Sequence, residues 1–143
     1  MGFVTELKMD PYQPPLRPAP IMTVAVQHRD MKGIALLRAF LDTGADRTIL
    51  APHSLALLER AIGLIPPSLL YVQHKLRVFY DLSFSFDGGE HWLYPDTPVE
   101  YAGSRERCPG NEDMLIGRDL LWQLKFCCNG PKSMFSLKHP QHC

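Results

Sequence analysis

The chain has 143 residues, enough for one domain with a real core, and 45% of them are apolar. Lys and Arg total 15 and Asp and Glu total 15, so the net charge is zero and the pI is about 7.0. That balance argues against a nucleic-acid or anionic-membrane partner held by bulk charge. No apolar run approaches the length of a membrane span. The start, Met1-Gly2-Phe3-Val4-Thr5-Glu6, lacks the basic and apolar regions of a signal peptide, and Glu6 stands where a myristoylation signal has Ser or Thr. The expected compartment is cytoplasmic, with Cys108, Cys127, Cys128 and Cys143 reduced.

Residues 1–20 carry Pro11, Pro14, Pro15, Pro18 and Pro20 and read as an extended arm outside the core. Ile21 to Val26 is a strand by composition. After a turn around Asp30 to Gly33, Ile34 to Leu41 is a second strand. Leu37, Ala39 and Leu41 share one of its faces and Arg38 lies on the other. The pair reads as a hairpin that delivers Asp42 to its end. Thr48 to Leu50 continues as a short strand. Pro52 suits a first helical position, Leu55, Leu58 and Ile62 follow at helical spacing, and Gly63 fits just past the end. Leu64 to Lys75 contains no glycine and shows no clear period.

Leu76 to Phe86 alternates, with Leu82, Phe84 and Phe86 opposite Asp81, Ser83 and Ser85, as in a half-buried strand. Asp87-Gly88-Gly89 signals a hairpin turn, and Glu90 to Tyr94 its return strand. Val99 to Tyr101 is another strand, and Ala102 to Asp113 a polar loop. Met114 to Ile116 is a short buried strand, and Asp119 suits the cap of a helix over Leu120–Leu124. Phe126 to Cys128 and Met134 to Leu137 form a last hairpin. Short strands with one or two short helices predict an all-β fold, a small closed barrel. The expected division is an arm over 1–20, a domain over 21–137 and a tail over 138–143.

Asp42 ends a buried strand and is followed by a hydroxyl and a glycine. Burial raises the pKa of a carboxylate unless donors or a partner offset it. Thr43 can donate and accept through one oxygen. Gly44 permits unusual backbone angles and the close approach of another chain. Together these suit a carboxylate that activates water.

Leu41-Asp42-Thr43-Gly44-Ala45-Asp46, with Thr48 and Leu50 behind it, resembles the active-site segment of the retropepsin-like aspartic proteases. Met114-Leu115-Ile116-Gly117-Arg118-Asp119-Leu120-Leu121 resembles that family's later signature, and the two stand in family order. The resemblance implies a retropepsin-like barrel acting as a homodimer on a peptide or protein substrate, with no cofactor and no metal. It makes Asp42 the catalytic residue. Thr43 would lock two active-site loops together, and Gly44 would present its carbonyl to the substrate backbone. Gly44, Ala45, Asp46 and Arg47 would line the substrate, and Asp46 would pair with Arg118. A mobile flap would begin near Ile65, and its tip usually carries glycine. The lack of one here points to a shortened flap or to a different loop over the cleft.

The chemistry needs two carboxylates sharing one proton, of which aspartic proteases are the type example. One Asp-Thr-Gly per chain therefore requires two chains about a two-fold axis. The alternative is a dimerisation or peptide-binding module of the same fold with little or no proteolysis. Cys127, Cys128, His139, His142 and Cys143 match no known zinc spacing. No serine-centred elbow and no phosphate loop is present.

Overall fold

The computed structural model describes residues 4–8, 19–102, 111–129 and 131–138. Its strands in chain order begin with β1 (Val4–Lys8), β2 (Ile21–His28), β3 (Ala35–Leu41) and β4 (Ile49–Leu50). Helix α1 (Ser54–Ile62) separates these from β5 (Ser68–Val72), β6 (Lys75–Tyr80), β7 (Leu82–Ser85), β8 (Val99–Tyr101) and β9 (Met114–Ile116). A one-turn helix α2 (Arg118–Leu121) and the strands β10 (Lys125–Asn129) and β11 (Met134–Lys138) complete the order.

Eight strands make one curled sheet in the order β5-β6-β8-β4-β9-β3-β2-β7. The remaining three form a second sheet, β1-β11-β10. The fold is mostly β with two helices, as the strand pattern predicts. The large sheet is an open ladder among the described residues, with β5 and β7 at its edges, where the sequence predicts a closed barrel.

Alternation places the core. Along β3, Ala35, Leu37, Ala39 and Leu41 are buried while Leu36 and Arg38 face out. Val24, Leu37, Phe84, Met114 and Leu120 meet Phe135 and Leu137 of the second sheet in one apolar cluster. Helix α1 adds Leu58, which is fully buried. Gly33 lets the turn between β2 and β3 pass under the end of α1, since a Cβ there would stand 2.5 Å from the Ala61 carbonyl oxygen.

Several elements differ from the sequence reading. The strand expected over 76–86 breaks at Asp81. Its first part, β6, pairs with β5 and β8, and its second part, β7, pairs with β2. Every residue of β7 is buried, so it is not half-buried. Its serines are satisfied inside, Ser83 Oγ donating to the Gln27 carbonyl at 3.3 Å and Ser85 Oγ to Asp87 Oδ1 at 2.7 Å. The expected return strand over 90–94 is reduced to one bridge, Phe84 with Leu93. Asp87 is the cause: its Oδ1 also accepts the backbone N–H groups of Glu90 and His91, and its Oδ2 meets His91 Nδ1 at 2.5 Å. A side chain that takes the backbone donors leaves none for a ladder.

The arm is not all outside the fold. Val4 to Lys8 forms β1 and pairs along β11, Val4 opposite Lys138 and Lys8 opposite Met134. Prolines 11 to 18 lie outside the described residues, as do Cys108, His139, His142 and Cys143. Among the described residues no helix is long and apolar enough to cross a membrane.

Candidate active site

Three strands converge on one point. β3 and β9 run parallel, with Leu41 opposite Ile116, so both end at the same rim of the sheet. β4 runs antiparallel to β9, with Ile49 opposite Leu115, and starts from that rim. The chain from Asp42 to Thr48 therefore arches over the end of β9. Gly117 sits under the arch. A Cβ on it would stand 2.5 Å from the Arg47 carbonyl carbon and 2.8 Å from its nitrogen, which no backbone shift of a few tenths of an ångström could relieve.

The half-buried Asp42 is tied at both ends of the residue. Its N–H donates to the Ile116 carbonyl at 2.9 Å, and its Oδ1 accepts the Gly44 N–H at 2.8 Å. The second bond closes an Asx turn that fixes the carboxylate over the loop. The Ala45 N–H returns to the Asp42 carbonyl at 3.2 Å. A side chain at Gly44 would crowd Asp42 Oδ1, at 3.1 Å from its Cβ. Thr43 and Gly44 are exposed, so this edge is open for a further chain.

The structure brings all the residues singled out in the two motifs to this rim. Thr43, Gly44, Ala45, Asp46 and Arg47 form the loop, and Arg118 opens α2 beside it. The Arg118 N–H donates to the Ala45 carbonyl at 2.9 Å, and its Nη2 meets Asp46 Oδ1. Asp46 is 82% exposed and Arg118 39%, so the ion pair itself contributes no more than about 1 kcal/mol. Arg47 Nη1 donates to Thr97 Oγ1 at 2.9 Å.

The stronger tie is one that the sequence reading contains only in part. Asp119 stands in the first turn of α2, whose N-cap residue is Gly117, and its Oδ1 accepts the Leu120 N–H at 3.0 Å, the local role expected of it. Its carboxylate also reaches back to Thr48, accepting the backbone N–H at 3.0 Å and the hydroxyl at 2.7 Å. Thr48 Oγ1 in turn accepts the Gly117 N–H at 3.2 Å. Thr48 is 1% exposed, so this network is sheltered from water and holds the arch to α2. One signal was available: Thr48 stands among inward apolar residues, and a buried hydroxyl requires a partner.

The other two carboxylates of the motifs are thus engaged, Asp46 with Arg118 and Asp119 with Thr48. Elsewhere, Asp87, Glu90 and His91 are the described groups close enough to share a cation, within 4.8 Å of one another. The donors gathered around Asp87 explain that cluster as loop structure.

The stretch without glycine forms a hairpin. β5 and β6 pair from Ser68 with Phe79 to Val72 with Lys75, which leaves a two-residue turn at Gln73 and His74. Their φ angles are 52° and 66°, the left-handed region that such turns require and that glycine or asparagine usually supplies. Leu69, Tyr71, Leu76 and Val78 share one face of this hairpin, since Leu69 opposes Val78 and Tyr71 opposes Leu76. Val78 and Tyr80 join the core on that face, whereas Leu69, Tyr71 and Leu76 run past it and stay exposed. At the base, Arg77 binds the buried Glu100 of β8 at 3.2 Å.

No protein-family model and no curated protein matches the sequence. The fold does have a counterpart among solved structures. A retropepsin-like aspartic protease from Rickettsia conorii superposes with a TM-score of 0.59 over 97% of this chain and 94% of its own, at 14% sequence identity. At that identity the likeness concerns the fold.

Proposed function

We propose that the chain is an aspartic endopeptidase that works as a homodimer, each subunit giving one Asp42 to a shared site. The observation that carries this reading is the Asp42 carboxylate, set by an Asx turn on an exposed loop at the sheet rim, in a fold shared with a retropepsin-like aspartic protease. Two carboxylates brought together cannot both ionise, so one keeps a proton. The charged member removes a proton from a water held between them, and the water oxygen bonds to the scissile carbonyl carbon. The neutral member donates a hydrogen bond to the oxyanion that develops, and the amine leaves with a proton when the C–N bond breaks.

In this reading Thr43 meets its counterpart across the axis, and Gly44, Ala45, Asp46 and Arg47 line an extended substrate. Arg118, Asp119 and Thr48 position the loop and do not touch the substrate. The β5–β6 hairpin is the flap, with the exposed Leu69, Tyr71 and Leu76 turned to the side on which Val78 and Tyr80 enter the core. No metal or cofactor is called on.

A second reading is favoured by one observation, the side chains at the hairpin tip. Gln73 and His74 occupy positions where a flap closing on a peptide backbone would be bare. A module of this fold that binds peptides or pairs with itself, without cutting, fits that feature. Cleavage of casein between about pH 4 and 7 separates the two. The protease reading expects activity that falls by about three orders of magnitude in Asp42→Asn. Binding of an unfolded protein, equal in both forms and without cleavage in either, supports the module.

A further inference from the structure

Trp122 follows α2 with 77% of its surface exposed, while Leu120 and Leu121 before it and Leu124 after it are buried. The short helix thus turns its leucines inward and leaves its one large aromatic bare. A covered aromatic side chain removes about 150–250 Å2 from water, so a bare tryptophan beside a candidate site is costly unless something covers it. Trp122 itself forms one wall of a groove of about 330 Å3, with Thr43, Arg118, Leu121, Leu124 and Phe126 as the others. Trp122 also borders a cavity of about 410 Å3 whose other walls include Asp46, Arg47, Asp96, Thr97 and Gln123.

A protruding knob beside a groove floored by leucine and phenylalanine and edged by Thr43 and Arg118 is what a two-fold contact needs, because the axis places each chain's knob over the other chain's groove. An apolar centre bordered by a polar rim is also the usual anatomy of such contacts. The location decides the occupant. Thr43 lines the groove and directly follows Asp42, so the groove is continuous with the edge at which the second carboxylate must arrive.

We infer that Trp122 anchors the contact between two copies of this chain, its indole entering the Thr43–Leu121–Leu124–Phe126 groove of the other copy. The inference rests on the dimeric reading above and adds the residue that governs whether two Asp42 carboxylates meet. Tryptophans covered in this way are among the residues that dominate interfaces, where truncation costs about 2 kcal/mol or more, a 30-fold change in affinity.

Sedimentation velocity over a dilution series of the full chain tests it, with wild type, Trp122→Ala and Trp122→Phe compared. Trp122→Ala weakens the dimer about 30-fold or more and Trp122→Phe weakens it less. Cleavage by Trp122→Ala recovers as protein concentration is raised, with KM unchanged. Acrylamide quenching of wild-type tryptophan fluorescence increases on dilution through the same range, a readout that needs no variant; flat quenching across a real dissociation overturns the inference. An unaltered dimer Kd in Trp122→Ala overturns it too and leaves the protease reading intact. A raised KM at unaltered Kd makes Trp122 a substrate contact instead, which also overturns it. A wild type that is monomeric at every concentration overturns the dimeric reading and the inference together.

Discussion

Between Asp42 and Thr48 the chain is pinned by Ile116, Arg118 and Asp119 and by its own Asx turn. Between Leu64 and Leu76 it is held by the rungs of one hairpin, and Leu64, Tyr71 and Leu76 are bare. The first segment spends its polar groups on fixed partners and carries a carboxylate whose direction matters. The second leaves apolar side chains exposed. A site that must hold a carboxylate within a fraction of an ångström benefits from the first construction. A cover that must admit and release an extended peptide benefits from the second, since lids are drawn from the least stable parts of a fold.

The rigid side of this comparison breaks most readily at Gly117. Gly117→Ala drives a methyl group into the Arg47 backbone, and overpacking against backbone costs about 3 kcal/mol. A lower urea midpoint with unchanged slope measures it. Asp119→Ala comes next. It strips the buried Thr48 hydroxyl and N–H of their acceptor, a loss of about 2 kcal/mol. Asp119→Asn, which keeps one acceptor, loses about half as much. Hydrogen exchange at the Thr48 amide locates the loss to the arch rather than to the hairpin.

The hairpin side can be sharpened instead. Replacing Gln73-His74 with Asn-Gly relieves two left-handed residues and stabilises the hairpin by about 1 kcal/mol. Slower exchange of the β5 and β6 amides, with no change at β3 or β9, is the expected signature.

The smallest effect is a pH dependence remote from both segments. Burial of Asp87 opposes its ionisation, but the His91 N–H, the Ser85 hydroxyl and the His91 imidazole together outweigh burial and hold its pKa below the ordinary carboxylate value. A carboxylate with a lowered folded-state pKa stabilises the fold at pH values above its unfolded pKa. That contribution is lost as pH falls below about 4, toward the folded value. Asp87→Asn therefore flattens the dependence of the urea midpoint on pH between about 2 and 5 relative to wild type.

The legible parts of the fold were those set by short-range pattern. Alternation in Leu37, Ala39 and Leu41 placed β3, and the apolar run Met114 to Ile116 placed β9, but their parallel pairing, which brings both ends to one rim, joins strands more than 70 residues apart and no local pattern carries it. Where a polar side chain took the backbone's partners, pattern misled. Asp87 draws the Glu90 and His91 amides to itself, so a glycine-rich turn signal produced no hairpin there. The inward serines of β7 look like solvent-facing residues until their acceptors are known. The Asp119 carboxylate serves the Leu120 amide, as a local capping rule expects, and also a residue 71 positions away, which such a rule does not reach. The β5–β6 turn was hidden for a different reason. It adopts left-handed angles with residues that tolerate them poorly, and turn rules are written for those that tolerate them well.

The proposed site needs one Asp42 from each of two chains. Mixing wild type with Asp42→Asn at fixed total concentration, after exchange of subunits, tests that most directly. A shared site predicts casein cleavage that falls as the square of the wild-type fraction, because only pairs of wild-type chains carry both carboxylates. Cleavage that falls in simple proportion to the wild-type fraction would show that each chain cuts alone, and would contradict the account.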